Sequence, residues 1–213
     1  YNKNKIKKIS NSLREQNEKN KNSDGVAPLP IYEEGQSLTA LKVVPSAGID
    51  PVTGQEIFIK RDGTYTFVYD SNDKVIFGDT NPYGTGSLNS YLTYKRFALS
   101  CTFQYSFGGS LYNETLATKV EGSNPKYNAD ERVLNDRWKT PGTVAKYKRI
   151  DDTTTPYQTS RFVEKNNFLR MSSLSLSYEV PTNFIQKYGL KRMFLELLTN
   201  DLFYLSTAKR ERG

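Results

Sequence analysis

The chain has 213 residues, 36% of them hydrophobic, with 30 Lys and Arg against 23 Asp and Glu for a formal net charge of +7. With a mean hydropathy of −0.67, it has no run approaching the roughly 18 apolar residues of a transmembrane helix; membrane-barrel strands escape that test, because only alternate residues face lipid. The absence of histidine removes the commonest general base, the commonest zinc ligand and every His-containing triad.

The charge is scattered. Its densest cluster, Lys3, Lys5, Lys7 and Lys8, reads as the solvated face of a helix. No groove-reading motif accompanies it, so nucleic acid is not an expected partner. Cys101 is the single cysteine, which excludes an intrachain disulfide. It sits among Phe and Leu, where a thiol behaves as a small hydrophobe. Tyr (15) and Phe (11) far outnumber Trp (1). Aromatic girdles at a membrane interface account for that bias, and so does a Tyr-rich β-sandwich. The start at Tyr1 rather than Met predicts an internal cut.

In chain order, residues 1–22 begin extended and turn helical, with Ile6, Ile9 and Leu13 at helical spacing. Asn22 to Pro30 reads as loop. Residues 37–44 read as a strand. Asp50-Pro51-Val52-Thr53-Gly54 is a turn by its chemistry, since Pro presets φ and Gly permits positive φ. Short strands flank Asp62-Gly63.

The segment Phe97 to Phe107 is the most informative. Phe97, Leu99, Cys101, Phe103, Tyr105 and Phe107 alternate with Ala98, Ser100, Thr102, Gln104 and Ser106. Such alternation sets an apolar face against a small, polar one, over the 9–11 residues that a tilted membrane strand needs. The expected lipid-facing residues are therefore Phe97, Leu99, Cys101, Phe103, Tyr105 and Phe107, and the lumen-facing ones Ser100, Thr102 and Gln104. Ser87 to Tyr94 alternates likewise, and Lys95-Arg96 makes the pair a hairpin.

A long insertion follows, about 108–167. It is predicted to carry a helix capped by Asn128, with Glu131 at the capping-box position and Val133, Leu134 and Trp138 on one face. A connection of that length implies function. Strands are then expected at about 168–180 and 192–199, ahead of a polar tail. Short and long connections thus alternate, as in outer-membrane barrels with short periplasmic turns and long extracellular loops.

Several stretches resemble the C-terminal region of SusC/RagA-type TonB-linked outer-membrane proteins. The best of them is Gly48-Ile49-Asp50-Pro51-Val52-Thr53-Gly54-Gln55-Glu56-Ile57-Phe58. Collinear with it are Glu34-Gly35-Gln36-Ser37, Gly78-Asp79-Thr80-Asn81-Pro82, Tyr105-Ser106-Phe107-Gly108-Gly109, Asp136-Arg137-Trp138-Lys139, Ser160-Arg161-Phe162-Val163, Asn166-Asn167-Phe168-Leu169-Arg170, Leu174-Ser175-Leu176-Ser177-Tyr178 and Asn200-Asp201-Leu202-Phe203.

The resemblance implies an all-β fold: part of a large antiparallel transmembrane β-barrel, with long extracellular loops carrying short helices. On this reading residues 1–213 are the C-terminal portion of the barrel, with strands at about 37–44, 87–95, 97–107, 168–180 and 192–199, and with the plug domain and closing strand lying outside the sequence. It implies a TonB-dependent importer in the outer membrane of Bacteroidetes, taking up oligosaccharides or peptides with a SusD-like surface lipoprotein. It also implies coupling to the TonB complex through an N-terminal region outside this sequence, and a dimer of transporter–lipoprotein pairs. No catalytic residue, cofactor or metal comes with it, so the chain is not expected to be an enzyme. Trp138, Arg137 and Lys139 are the candidate partner contacts, since Trp is enriched at binding hot spots, and Arg132 joins the polar rim; the alternative is that Trp138 only packs the 128–138 helix against the loop itself.

Other readings are weaker. Asp50, Thr53 and Glu56 supply too few oxygens for calcium. Asp151 and Asp152 read as solvated charges, and Gly84-Thr85-Gly86 and Gly108-Gly109 as strand-end turns. The alternative function is a soluble, Tyr-rich β-sandwich that binds glycans, in which the apolar face of 97–107 meets a second sheet instead of lipid.

Overall fold

The computed structural model describes residues 4–23, 25–124, 126, 130–152 and 154–208. The chain divides into two compact units. One holds residues 82–108 and 166–208, and the other takes in 4–81 and 109–165. They are called the sheet unit and the loop unit below.

The sheet unit is built on an up-and-down sheet of four strands in chain order: β6 (Gly84–Tyr94), β7 (Phe97–Tyr112), β8 (Val163–Glu179) and β9 (Phe194–Ser206). β6 and β7 pair without a slip from Gly84↔Phe107 to Tyr94↔Phe97. Lys95 (φ 55°) turns the hairpin. The alternation in the sequence begins this strand at Ser87, but the strand starts three residues earlier, at Gly84. Gly84 and Gly86 are not turn residues. They lie opposite Phe107 and Tyr105, and those rings fill the space of the missing side chains, since a Cβ on Gly86 would stand 2.5 Å from the Tyr105 hydroxyl. Covering a strand glycine with a cross-strand aromatic restores packing that the glycine lacks.

β8 and β9 pair with one register shift between Met171 and Ser173, and Asp201 (φ 50°) lies at that irregularity. β9 runs to Ser206, so the expected polar tail from Asn200 is strand for seven more residues. The Leu202, Phe203, Tyr204, Leu205 run supplies its β propensity. Phe97 packs on Tyr178 (4.7 Å between centroids) and Phe103 on Phe203 (6.2 Å), while Arg170 donates to the Gln104 side chain (2.9 Å).

The loop unit has a conventional interior. Helix α1 (Asn11–Lys21) begins at Ser10, whose hydroxyl accepts the Leu13 N–H. Lys74 donates to the carbonyl of Lys21 at the other end (2.9 Å), where a cation suits the helix dipole. β1 (Ala40–Val43) pairs with β5 (Val75–Asp79), and β2 (Ser46–Ile49), β3 (Glu56–Ile59) and β4 (Tyr65–Thr66) form a second small sheet. The 37–44 segment is therefore not a barrel strand. Only four of its residues are extended, and Leu41, Lys42 and Val43 are all buried, so it lacks both the length and the two-faced character of a membrane strand.

The connection from β7 to β8 is shorter than the expected 108–167, because both strands continue past the alternating segment, to Tyr112 and from Val163. The predicted helix also shrinks, to α2 (Arg132–Asn135). Asn128 lies outside the described residues, Glu131 makes no side-chain cap, and Asp130 accepts the Arg132 N–H instead. Leu134 is exposed while Val133 is buried, and Trp138 lies beyond the helix. Val133 joins Leu116, Ala117, Val120, Tyr147 and Phe162 in the core of this unit.

Candidate functional site

Residues directly opposite one another in an antiparallel pair share a sheet face. One face of the β6–β7 hairpin therefore carries Leu88, Leu92 and Tyr94 with Phe97, Leu99, Cys101, Phe103, Tyr105 and Phe107. Its other face carries Thr85, Ser87, Asn89, Tyr91 and Thr93 with Ala98, Ser100, Thr102, Gln104 and Ser106. On β8–β9, Leu174, Leu176 and Tyr178 lie opposite Thr199, Leu197 and Leu195, and the Phe97–Tyr178 contact places them on the apolar side. Ser173, Ser175 and Ser177 lie opposite Asn200, Leu198 and Glu196.

This apolar face is not a core. Leu92 is 61% exposed and Leu197 70%, and Leu88, Tyr94, Phe97, Tyr105, Phe107, Leu176 and Leu195 are also exposed. A contiguous exposed surface of that size is far larger than isolated surface leucines, and marks a surface built to meet something apolar. Aromatic residues close both ends of it, Tyr94, Phe97 and Tyr178 at one, Tyr105 and Phe107 at the other. From Phe97 to Phe107 the strand climbs about 33 Å, or roughly 25 Å of height at barrel tilt.

In the loop unit the densest polar site is one that sequence reading missed. Arg161 donates to both oxygens of Glu56 (2.8 and 2.6 Å), to both of Glu121 and to the Lys146 carbonyl (2.7 Å). Glu56 and Glu121 are buried. Burial by itself would lower the Arg161 pKa, but the two carboxylates overturn that and raise it. No sequence signal reveals the site, because Glu56 and Glu121 come from segments far from Arg161 in the chain.

Of the candidate partner contacts, Lys139 is exposed, Trp138 half-buried and Arg137 buried. Arg137 is not part of a polar rim. Its guanidinium donates to the carbonyls of Val120, Glu121 (2.9 Å) and Val133 (3.1 Å), which ties the π-helical turn Leu116–Glu121 to α2. Burial lowers its pKa. Trp138 braces the 50–54 turn: its indole donates to the Pro51 carbonyl (2.8 Å), and its ring lies where a Cβ on Gly54 (φ 72°) would be, 2.6 Å away. Arg132 is held by Asp130.

Asp50 accepts from the Thr53 N–H (2.9 Å) and hydroxyl (2.6 Å), which holds its carboxyl below the usual range. Glu56 is committed to Arg161, so these oxygens do not converge. Asp151 pairs with Arg149 and Asp152 with Lys148. Among the described residues no three His, Cys, Asp or Glu side chains gather into a metal site.

Over 155 residues the chain is 32% identical to the TonB-dependent receptor P3 of Formosa agariphila, a stretch that is 70% of this chain and 14% of that protein. The fold matches the structure of the RagAB peptide transporter with a TM-score of 0.70 at 20% identity, over 83% of this chain and 20% of that one. It also matches the RagAB peptide importer in the closed-closed state, with a TM-score of 0.67 at 22% identity, over 82% and 20% of the two chains. No family profile matches. The chain spans about a seventh of the length of the curated relative.

Proposed function

Since the chain belongs to the SusC/RagA-type TonB-dependent receptors of the bacterial outer membrane, we propose that the sheet unit is a stretch of barrel wall and the loop unit part of the receptor's extracellular surface. The whole receptor then imports nutrient across the outer membrane with energy from the TonB complex. Its relatives are receptors and transporters rather than enzymes.

The observation that carries this reading is the exposed apolar face itself. Phe97, Leu99, Cys101, Phe103, Tyr105 and Phe107 meet lipid, and Ser100, Thr102 and Gln104 meet a wet lumen. β6 to β9 number 11, 16, 17 and 13 residues, all long enough to cross at barrel tilt. The soluble β-sandwich needs a second sheet over that face, and among the described residues the sheet unit contains none. Leu99→Arg and Phe103→Arg in the full receptor should each impair assembly, read as heat-modifiable gel mobility, while Ser100→Arg and Thr102→Arg leave it intact. Equal damage from both sets would reject the orientation.

The cargo we infer is a peptide or oligosaccharide, peptide being favoured by the RagAB likeness, and the partner is a SusD-like lipoprotein, in a dimer of transporter–lipoprotein pairs. Lys139, with the open part of the Trp138 ring, is the contact we assign to the lipoprotein; Arg137 only supports it from within. Lys139→Glu should reduce copurification of the lipoprotein with an assembled receptor. Full recovery would remove Lys139 from the interface.

A further inference from the structure

The connection between β8 and β9 bears side chains that the barrel wall does not explain. It begins with helix α3 (Thr182–Ile185) and a 3-10 turn, Gln186–Tyr188, and ends in Gly189 with φ 71°. Ile185 is buried and pins the segment down, yet Phe184 is 70% exposed and Tyr188 81%. Four residues apart, those two rings can share a side. Leu190 and Met193 are exposed as well. Between and after them come Lys187 and Lys191, both exposed.

The neighbouring hairpin adds two more cations. The Glu179 N–H donates to the Arg96 carbonyl (2.9 Å), which puts the 95–96 turn beside the end of β8. Lys95 holds its ammonium over the Tyr94 ring (5.3 Å), and Tyr94 lies on the apolar face, opposite Phe97. Glu179 is itself taken by Arg192 (3.1 Å). Lys95, Arg96, Lys187 and Lys191 make no ion pair among the described residues. An apolar wall, a rim of exposed rings and cations just beyond them is the order in which hydrocarbon, interface and headgroup follow one another.

We propose that the 181–193 connection and the Lys95-Arg96 turn form an interfacial anchor that holds anionic glycerophospholipid headgroups of the periplasmic leaflet. Phe184 and Tyr188 enter the interface, and the four cations meet the phosphate diesters. The proposal rests on the reading made above, in which the sheet unit is barrel wall and the loop unit extracellular, so that the short connections at the other rim are periplasmic.

Phosphatidylglycerol is the probe. The full receptor is purified in detergent, incubated with equal phosphatidylglycerol and phosphatidylcholine, washed, and the lipid retained per receptor is counted by native mass spectrometry. Wild type should retain phosphatidylglycerol preferentially, and the preference should fall roughly fivefold for each lysine removed at low salt, in Lys187→Gln, Lys191→Gln and the pair together. Lys60→Gln, in the loop unit, is the control and should change nothing. Phe184→Ser with Tyr188→Ser should lower retention of both lipids.

The Leu99→Arg and Ser100→Arg pair, assayed in parallel, separates the two levels. If the two faces respond alike, the orientation falls and the anchor with it. If they differ as expected but wild type shows no preference, or the lysine variants keep it, the anchor alone is overturned. A loss that Lys60→Gln reproduces also overturns it, since that is a general effect of charge.

Discussion

The two units of this chain treat apolar side chains in opposite ways. In the loop unit Val43, Val44, Val120, Val133 and Phe162 are almost fully enclosed, and the buried charges of the unit are met by opposite charges or, for Arg137 and Lys74, by backbone carbonyls. In the sheet unit leucines and aromatics of the same kind lie open, most of them along one face, with Tyr91 and Leu198 open on the other. On the barrel reading proposed above, lipid covers that open face, since hydrophobic burial is a transfer out of water that lipid satisfies as well as protein does. The two treatments change over near Gly108 and Asn166, where each long strand passes from one unit to the other.

The largest expected effect tests the aqueous side. Arg161→Met leaves Glu56 and Glu121 buried without their shared guanidinium and should cost the loop unit about 3–5 kcal/mol, read as faster proteolysis of this region in an assembled barrel. Replacing Glu56, Glu121 and Arg161 together by apolar residues of similar volume should restore much of that stability, since buried ion clusters exchange for well-packed apolar groups at little cost. If the triple replacement is as damaging as Arg161→Met, the cluster does more than satisfy its own charges.

Next in size is the contrast between faces of β7. An arginine at Leu99 or Phe103 should cost about 2–4 kcal/mol near the midplane, and one at Thr102 much less. The same exchange at Val43, enclosed in the loop unit, should leave barrel assembly intact while it disorders the surface. A Val43→Arg receptor that loses heat-modifiable mobility would blur the division between the units.

The smallest effect is a pH dependence confined to the loop unit. Burial of Lys74, helped by Lys21, lowers its pKa to about 8, below the ordinary value near 10.4. Between those pH values the unfolded chain binds the extra proton, so stability rises with pH over that window. Burial of Tyr69, with Tyr157 stacked on it at 4.4 Å, raises its pKa to about 12, so the folded form keeps a proton that the unfolded form loses and stability falls above pH 10. Hydrogen exchange of the loop unit should therefore slow, after correction for intrinsic rates, from pH 8 toward 10 and quicken beyond it. Lys74→Met should abolish the first limb and leave the second.

The sequence by itself determined the central hairpin of the sheet unit, though not the full length of its strands. Strict alternation in 97–107 named the two faces, and Lys95-Arg96 named the hairpin, because a strand's side-chain period is a local property of its backbone. It also marked the Asp50 to Gly54 turn, whose Asp50–Thr53 hydrogen bonds are made within four residues. It failed wherever the partner is distant. Short strand β1 looks like part of the barrel until β5 is found opposite it, Arg137 looks like a rim residue until the Val120 carbonyl is found beneath it, and the packing expected of Trp138 falls on the 50–54 turn instead of its own helix. Arg161 joins Glu56 and Glu121 across 105 and 40 residues of chain. Periodicity records which side of an element is apolar; it carries no record of which other element arrives there. That was decided only when the loop unit closed on its own core, where an unpaired charge is costly enough to select its partner.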